Sequence, residues 1–372
     1  MMKEKIKGVN LGAWLVLEKW MTPRLFDRTP SDDEYCLAHD MDPAPYEEKI
    51  KTHRATFITE GDFVKIAAAG FNVVRIPVPY FIFGDRKPFI GCLDELDRAF
   101  NWARAYGLEV LIDLHTAPCS QNAFDNGGIS GVCKWAQHPE EVEFVLDVLS
   151  RLAERYKADD ALFGIEVLNE PLTPEMWDII DPQDQYEPRD KELAEGSAPV
   201  SFAFLYDFYQ EAYDRLREIL PSDKTIVFHD GFDLLKWEGF FKEREFDNVM
   251  LDTHHYLVFN GEPDQENLKN YQVHLSRIGE QIKEISNYVP VVAGEWCLFN
   301  QHIAKNKPNM TDDEVTDFYN ELWQASVDAW NKGDGYFYWT YKLLIDTVNT
   351  PNKIGKDAWD VSRAIARGWA KV

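Results

Sequence analysis

Glu170 and Glu295 are the residues of this chain with the clearest capacity for chemistry. Each closes a short apolar run, in Leu168-Asn169-Glu170-Pro171 and Val292-Ala293-Gly294-Glu295-Trp296. A carboxylate at the end of an apolar strand is hard to explain by packing, because a buried charge needs a partner or a function. Two opposed glutamates are what glycoside hydrolysis requires: one donates a proton to the leaving oxygen and the other attacks the anomeric carbon. Glu170 is the expected acid, its carboxyl pKa raised by burial and by the negative charge of Glu295. Glu295 must stay ionised, and Arg75, reaching across, would supply the positive charge that keeps it so. Asn169 is placed to hydrogen-bond a sugar 2-hydroxyl. The expected carboxyl separation is roughly 5–5.5 Å, the retaining geometry.

Such a pair needs elements that bring residues 125 positions apart in sequence to one place. Short β-branched runs recur at Ile6–Leu11, Asn72–Val78, Val110–His115, Gly164–Asn169, Thr225–His229, Val249–His255, Val289–Glu295 and Gly335–Thr340. Most are apolar on both faces, as strands of a buried parallel sheet are. Helical spacing fills the intervals: Phe63, Ile66, Ala67 and Gly70 share one face, and so do Leu93, Leu96, Phe100 and Ala103. Gly70, Gly107 and Gly335 are placed to end helices before the next strand. Eight βα repeats predict an α/β fold, a closed (β/α)8 TIM barrel formed by residues 1–372 as a single domain with long βα loops. An open doubly wound sheet would need an early Gly-rich phosphate loop, which is missing. Trp14–Thr59 and Leu172–Val200 read as long loops at the C-terminal mouth, where barrel enzymes build their sites. The acidic run Asp181–Glu195 reads as a solvated loop, with a lid over the site as the alternative, and the cluster Trp237, Phe240 and Phe241 as helix packing, with a second sugar platform as the alternative.

Other polar residues gather at the same strand ends: Arg75, His115, Asn169, His254 with His255 and Tyr256, and Trp339. His254 and His255 are adjacent on a strand and point to opposite faces, so they are not expected to share a metal ion. No metal or cofactor is expected, since a two-carboxylate mechanism needs neither. The net charge of −25 repels nucleic acid and anionic membranes and suits a neutral substrate such as a β-linked oligosaccharide or glucoside. No apolar run approaches the roughly 20 residues of a membrane helix. The charged start at Met1–Gly8 has no apolar leader, which predicts a cytoplasmic chain unless a secretion signal has been removed. The five cysteines, an odd number without C-x-x-C spacing, read as reduced thiols, with a Cys119–Cys133 bridge as the alternative.

The motif series resembles glycoside hydrolase family 5, in particular the exo-β-1,3-glucanases of yeasts and other fungi. The resemblance is carried in order by Gly8-Val9-Asn10-Leu11-Gly12-Ala13-Trp14-Leu15-Val16-Leu17-Glu18, Val74-Arg75-Ile76-Pro77, Ile112-Asp113-Leu114-His115, Ser120-Gln121-Asn122-Ala123-Phe124-Asp125-Asn126, Leu168-Asn169-Glu170-Pro171, His254-His255-Tyr256 and Val292-Ala293-Gly294-Glu295-Trp296. It implies Glu170 as acid/base and Glu295 as nucleophile. It also implies that Arg75, His115, Asn169, His254, Tyr256 and Trp339 line the −1 subsite, with Tyr256 bonded to the nucleophile and Trp339 beneath the sugar. Glu18 and Asp125 would hold hydroxyls of the non-reducing terminal glucose, and Phe124 and Phe259 would flank the +1 site. Two positions depart from the family pattern: Ala13 in place of a second glycine, and Tyr341 where a second Trp is common. Same-chemistry alternatives are cellooligosaccharides, mannan or a steryl or lipid glucoside. A different class would be a non-catalytic carbohydrate-binding barrel.

Overall fold

A computed structural model describes residues 4–257, 266–345 and 355–372. Eight parallel strands close into a barrel in chain order: β1 (Ile6–Asn10), β2 (Val73–Val78), β3 (Glu109–Leu114), β4 (Leu162–Glu166), β5 (Thr225–His229), β6 (Val249–His254), β7 (Val291–Trp296) and β8 (Gly335–Tyr338). β1 closes the circle on β8 through the register Ile6 to Gly335 and Gly8 to Phe337.

The barrel interior is layered. Each strand sends one apolar side chain into a plug: Ile6, Val73, Leu111, Phe163, Val227, Met250, Val292 and Phe337. Side chains alternate along a strand, so the residue two positions on faces the same interior one layer nearer the mouth. In β2, β3, β5 and β6 that residue is Arg75, Asp113, His229 and Asp252, all buried. A further step of two brings His115 and His254 to the mouth. The apolar plug therefore supports a charged layer, and the charged layer supports the site. Outside the sheet, the helices Leu93–Tyr106, Pro139–Tyr156, Phe202–Ile219 and Leu268–Ile285 each bury one apolar stripe against the strands, as their spacing requires.

Three expectations are corrected. The regular strand β4 ends at Glu166, so Asn169 and Glu170 follow the strand rather than end it. Gly335 closes no helix. It opens β8 at φ 123°, where a Cβ would meet Ile6 O at 2.0 Å. The helix before it runs Asp312–Trp330. The segment Trp14–Thr59 is mostly helical, with helices at Glu34–Asp40 and Pro43–Phe57. All five cysteines are free, and Trp237, Phe240 and Phe241 are buried in the helix Trp237–Lys242. Among the described residues no helix is long and apolar enough to cross a membrane.

Candidate active site

Arg75 organises the barrel mouth. It is wholly buried on β2 and donates from three nitrogens: Nε to Glu166 Oε2 at 2.7 Å, Nη1 to Asn10 Oδ1 and Glu295 Oε1 at 2.9 Å each, and Nη2 to Asn169 Oδ1 at 2.8 Å and Glu166 Oε1 at 3.0 Å. Asp113 Oδ2 lies 3.1 Å from Nη1. Burial alone would lower the guanidinium pKa, but the charges of Asp113, Glu166 and Glu295 carry it well above its ordinary value. Arg75 thus takes the position expected of it beside Glu295.

Glu295 reaches the pocket through a constraint set one residue earlier. Gly294 N donates to Asp252 Oδ1 at 2.6 Å, and a Cβ on Gly294 would stand 1.9 Å from Asp252 Oδ2. Only glycine lets β7 pass this close to β6 and turn Glu295 inward. Its Oε2 accepts from the Tyr256 hydroxyl at 2.6 Å. Glu170 sits where the chain turns after β4, in a left-handed backbone conformation at φ 45°. Such strain in a non-glycine residue persists only where its surroundings hold it. Here Gln121 Nε2 clamps the turn, donating to the carbonyls of His115 and Asn169 at 2.9 Å each.

The two carboxyls meet at one imidazole. His254 Nδ1 lies 2.7 Å from Glu170 Oε1 and 3.6 Å from Glu295 Oε2, so these two oxygens are at most about 6.3 Å apart. Asn126 Nδ2 donates to the other oxygen of Glu170 at 2.7 Å. His254 Nε2 faces Asp252 Oδ2 at 3.3 Å. Burial opposes a charge on His254, but the charges of Glu295 and Asp252 and the bonds to Asp252 and Glu170 hold its pKa well above the ordinary value.

The expected order of the two acids is reversed in the free protein. Burial pushes the Glu170 carboxyl up, yet the bond and charge of His254 and the bond from Asn126 bring it below its usual value. Glu295 is raised, by burial first and by the charge of Glu170, against the pull of His254 and Arg75. The reason is His254, which bonds directly to Glu170 and carries the proton that burial was expected to keep on the acid.

The remaining residues converge as well. His115 Nδ1 pairs with Asp113 Oδ2 at 2.6 Å, and its ring lies parallel to Trp339 at 5.6 Å. His115 Nε2 and Asn169 Nδ2 are buried and have no hydrogen-bond partner among the described residues, so both can serve a ligand. Glu18 Oε2 accepts from Trp20 Nε1 at 2.8 Å. Burial and the charges of Asp125, Glu295 and Glu170 push the Glu18 carboxyl well up, against the bond from Trp20. Asp125 is itself raised to about 6, by burial first. Phe124 is buried on the same loop as Asp125, and Phe259 lies outside the described residues.

His255 turns away from the pocket, against Thr253 and Trp330. His254 instead has Glu170 and His229 near enough for the three to offer ligand atoms within 4.8 Å of one another. His229 Nδ1 accepts from Gly231 N at 3.0 Å, which leaves the proton on Nε2 and removes the lone pair a metal would need.

Sequence reading gave no role to Asn10, Glu166, Asp252, Asn126 and Trp20. Part of the signal was present. Asp113 and Asp252 each precede a strand-end histidine by two residues, the spacing that puts acid and imidazole on one face of a strand.

The family profile of cellulases, glycosyl hydrolase family 5, matches residues 44–343. The chain is 34% identical to a probable glucan 1,3-beta-glucosidase A of Emericella nidulans, over 98% of this chain and 89% of that relative. It is also 34% identical to a glucan 1,3-beta-glucosidase of Kluyveromyces lactis, over 98% and 88% respectively. The crystal structure of a rutinosidase from Aspergillus niger superposes with a TM-score of 0.79, covering 99% of this chain and 98% of that one at 20% identity, a likeness of fold. Profile, relatives and barrel agree that the chain belongs to glycosyl hydrolase family 5.

Proposed function

We propose that the protein is a retaining exo-acting glucan 1,3-β-glucosidase, with Glu295 as nucleophile and Glu170 as acid/base. The observation that carries this reading is the imidazole shared by the two carboxyls. Its distances cap the gap between Glu170 Oε1 and Glu295 Oε2 at about 6.3 Å, a closeness that supports the ~5–5.5 Å spacing of a retaining pair over the wider spacing that holds a water. The identity to curated glucan 1,3-beta-glucosidases over nearly the whole chain supports the choice of linkage.

In the first step a carboxylate oxygen of Glu295 attacks the anomeric carbon as its bond to the leaving oxygen breaks. Glu170 protonates that oxygen. The proton it uses is supplied across the 2.7 Å bond from His254 Nδ1, which keeps the pair charged with one transferable proton although Glu170 alone is held low. In the second step Glu170 takes a proton from water, the water oxygen bonds to the anomeric carbon, and Glu295 leaves. Asn169 Nδ2 and His115 Nε2, without partners among the described residues, bind hydroxyls of the reacting glucose. Glu18 and Asp125 hold hydroxyls at the non-reducing end, and Trp339 packs beneath the ring. Acids that hold the non-reducing end would favour exo action.

The reading is tested by product analysis on β-1,3-, β-1,4- and β-1,6-linked glucose disaccharides and trisaccharides. Glucose released first as the β-anomer, preferentially from the β-1,3 series and absent with Glu295→Ala, is the expected result. Turnover confined to another linkage would refute the substrate, and initial release of the α-anomer would refute the mechanism.

Tyr256 gives a prediction with a definite sign. Its hydroxyl donates to Glu295 and so favours the carboxylate over the acid. Tyr256→Phe removes that donor, and the acid limb of the kcat/KM pH profile should move to higher pH. A limb that stays in place or moves down would remove Tyr256 from control of the nucleophile.

A further inference from the structure

The segment after β4 leaves the barrel at Leu172 and returns at Val200, whose N–H donates to Leu172 O at 2.8 Å. Its acidic composition suggests a solvated loop, but it is tied down along its length. Gln183 Nε2 donates to Gly131 O, Lys134 Nζ to Glu195 O and Gln137 Nε2 to Gly196 O, each at 2.9 Å. Arg189 binds Asp40 through both terminal nitrogens, with Nη2 to Oδ1 at 2.6 Å. These ties join the loop to the segments after β1 and β3, the ones that carry Glu18 and Asp125. They fix Tyr186, the single aromatic residue of the run Asp181–Glu195, above the mouth.

The Tyr186 ring lies 5.3 Å from Phe124 at an interplanar angle of 42° and is half-buried. Asn126, two residues beyond Phe124, donates to Glu170 Oε2 at 2.7 Å, so the loop against which Tyr186 packs is the one that holds the acid/base carboxyl; burial and then the charges of Asp125, Glu170 and Glu18 push the Tyr186 phenol up. Neither step of the mechanism above uses it.

We infer that Tyr186 determines leaving-group specificity. With Phe124 it forms the aromatic wall on the Glu170 side of the pocket, where the second glucose ring of a short β-glucan packs as it departs. The inference rests on the retaining-glucosidase reading. A leaving group departs beside the residue that protonates it, so the surface next to Glu170 that does not hold the reacting glucose is the surface it meets. Aromatic faces take the apolar C–H face of a sugar ring. Binding energy from such a remote contact is realised in the transition state, so its loss appears in kcat/KM for any substrate whose leaving group is large enough to touch the wall. Fluoride is too small to touch it.

The test compares kcat/KM for laminaribiose and β-glucosyl fluoride in the wild type, Tyr186→Ala and Tyr186→Phe. Tyr186→Ala should lose ~10–100-fold on laminaribiose and stay within about 2-fold of the wild type on the fluoride. Tyr186→Phe, which keeps the ring, should retain most of the laminaribiose activity. Equal losses on both substrates, or no loss on laminaribiose, would overturn the inference. A wild type that releases no fluoride would instead refute the glucosidase reading itself. Should Tyr186→Ala fail to fold, Tyr186→Leu keeps apolar bulk but no flat face, and the same selective pattern decides.

Discussion

Glu295→Ala should lower kcat on laminaribiose by about 10⁵-fold or more, the scale reached when a catalytic nucleophile that acts as part of a unit is removed. The loss should be recoverable in a way that names the missing atom. Azide can enter the space left by the carboxylate and attack the anomeric carbon from that face. The aglycone leaves with the proton from Glu170, and the product is the α-glucosyl azide. Glu170→Ala should behave differently. A dinitrophenyl glucoside needs no proton on its leaving oxygen, so its first step survives, the second step becomes limiting, and azide yields the β-glucosyl azide. The same azide anomer from both variants would sink the assignment of roles. Stability should not follow activity. The Glu295 pKa is raised in the folded state, so the group stabilises the fold most below its unfolded value near 4.5 and costs stability as pH rises through the raised value. Glu295→Gln removes that ionisation at nearly constant volume, and its thermal midpoint at pH 7 should equal or exceed that of the wild type. A clearly lower midpoint would mean that the bond from Arg75 outweighs the burial cost.

The eight strands were legible because each is a short apolar run, and the run survives whatever packs around it. β5 was read to the residue, while β4 was read late, without Leu162 and Phe163 and running on to Asn169, and β8 was read past its end at Tyr338. Leu168-Asn169 and Trp339-Thr340 continue the apolar or β-prone pattern, and Asn169 N and Trp339 N still donate to Leu114 O and Trp296 O, but these are single links past the end of the regular strand, a distinction that pattern does not register. Gly335 misled for a related reason. A positive φ suits a helix end and a crowded strand start equally, and only the approach of Ile6 distinguishes them. Glu170 and Glu295 were legible as acids in apolar surroundings. Their relative acidity was not, because it depends on His254 choosing Glu170 over Glu295 as its closer partner, a matter of ångströms that spacing along β6 does not encode. Tyr186 escaped for the opposite reason. Its own segment is polar, and what fixes it are the ties to Gly131, Asp40, Lys134 and Gln137, none of which lies on that segment.

Arg75→Met should cost more stability than any single change to a catalytic acid, about 3–5 kcal/mol at pH 7, the scale seen when one partner of a buried ion pair is removed. Three carboxylates, Glu166, Asp113 and Glu295, lie within 3.1 Å of its guanidinium, and Asp252 lies 3.9 Å away. Methionine fills much of the space but offers none of the donors. Glu166 sets the pH dependence. Burial already raises its pKa well above the ordinary value, and Arg75 is the strongest influence opposing that rise. Without Arg75 the folded-state pKa climbs further, so the protonated form is favoured by folding. The variant is then least impaired below pH 4.5, where the unfolded carboxyl is also protonated, and loses stability steadily as pH rises toward neutrality. Urea denaturation of the wild type and Arg75→Met at several pH values reads this directly: the gap between the midpoints should widen from acid to neutral pH. A gap independent of pH would mean that the loss comes from packing rather than from stranded charge. Arg75→Lys should fall between the two, since one ammonium cannot serve both oxygens of Glu166 together with Asn10, Asn169 and Glu295. Activity should fall with stability but not in proportion. Arg75 lowers the Glu295 pKa, so its removal leaves a smaller fraction of nucleophile ionised, and part of the lost rate should return as pH is raised while the fold is still intact.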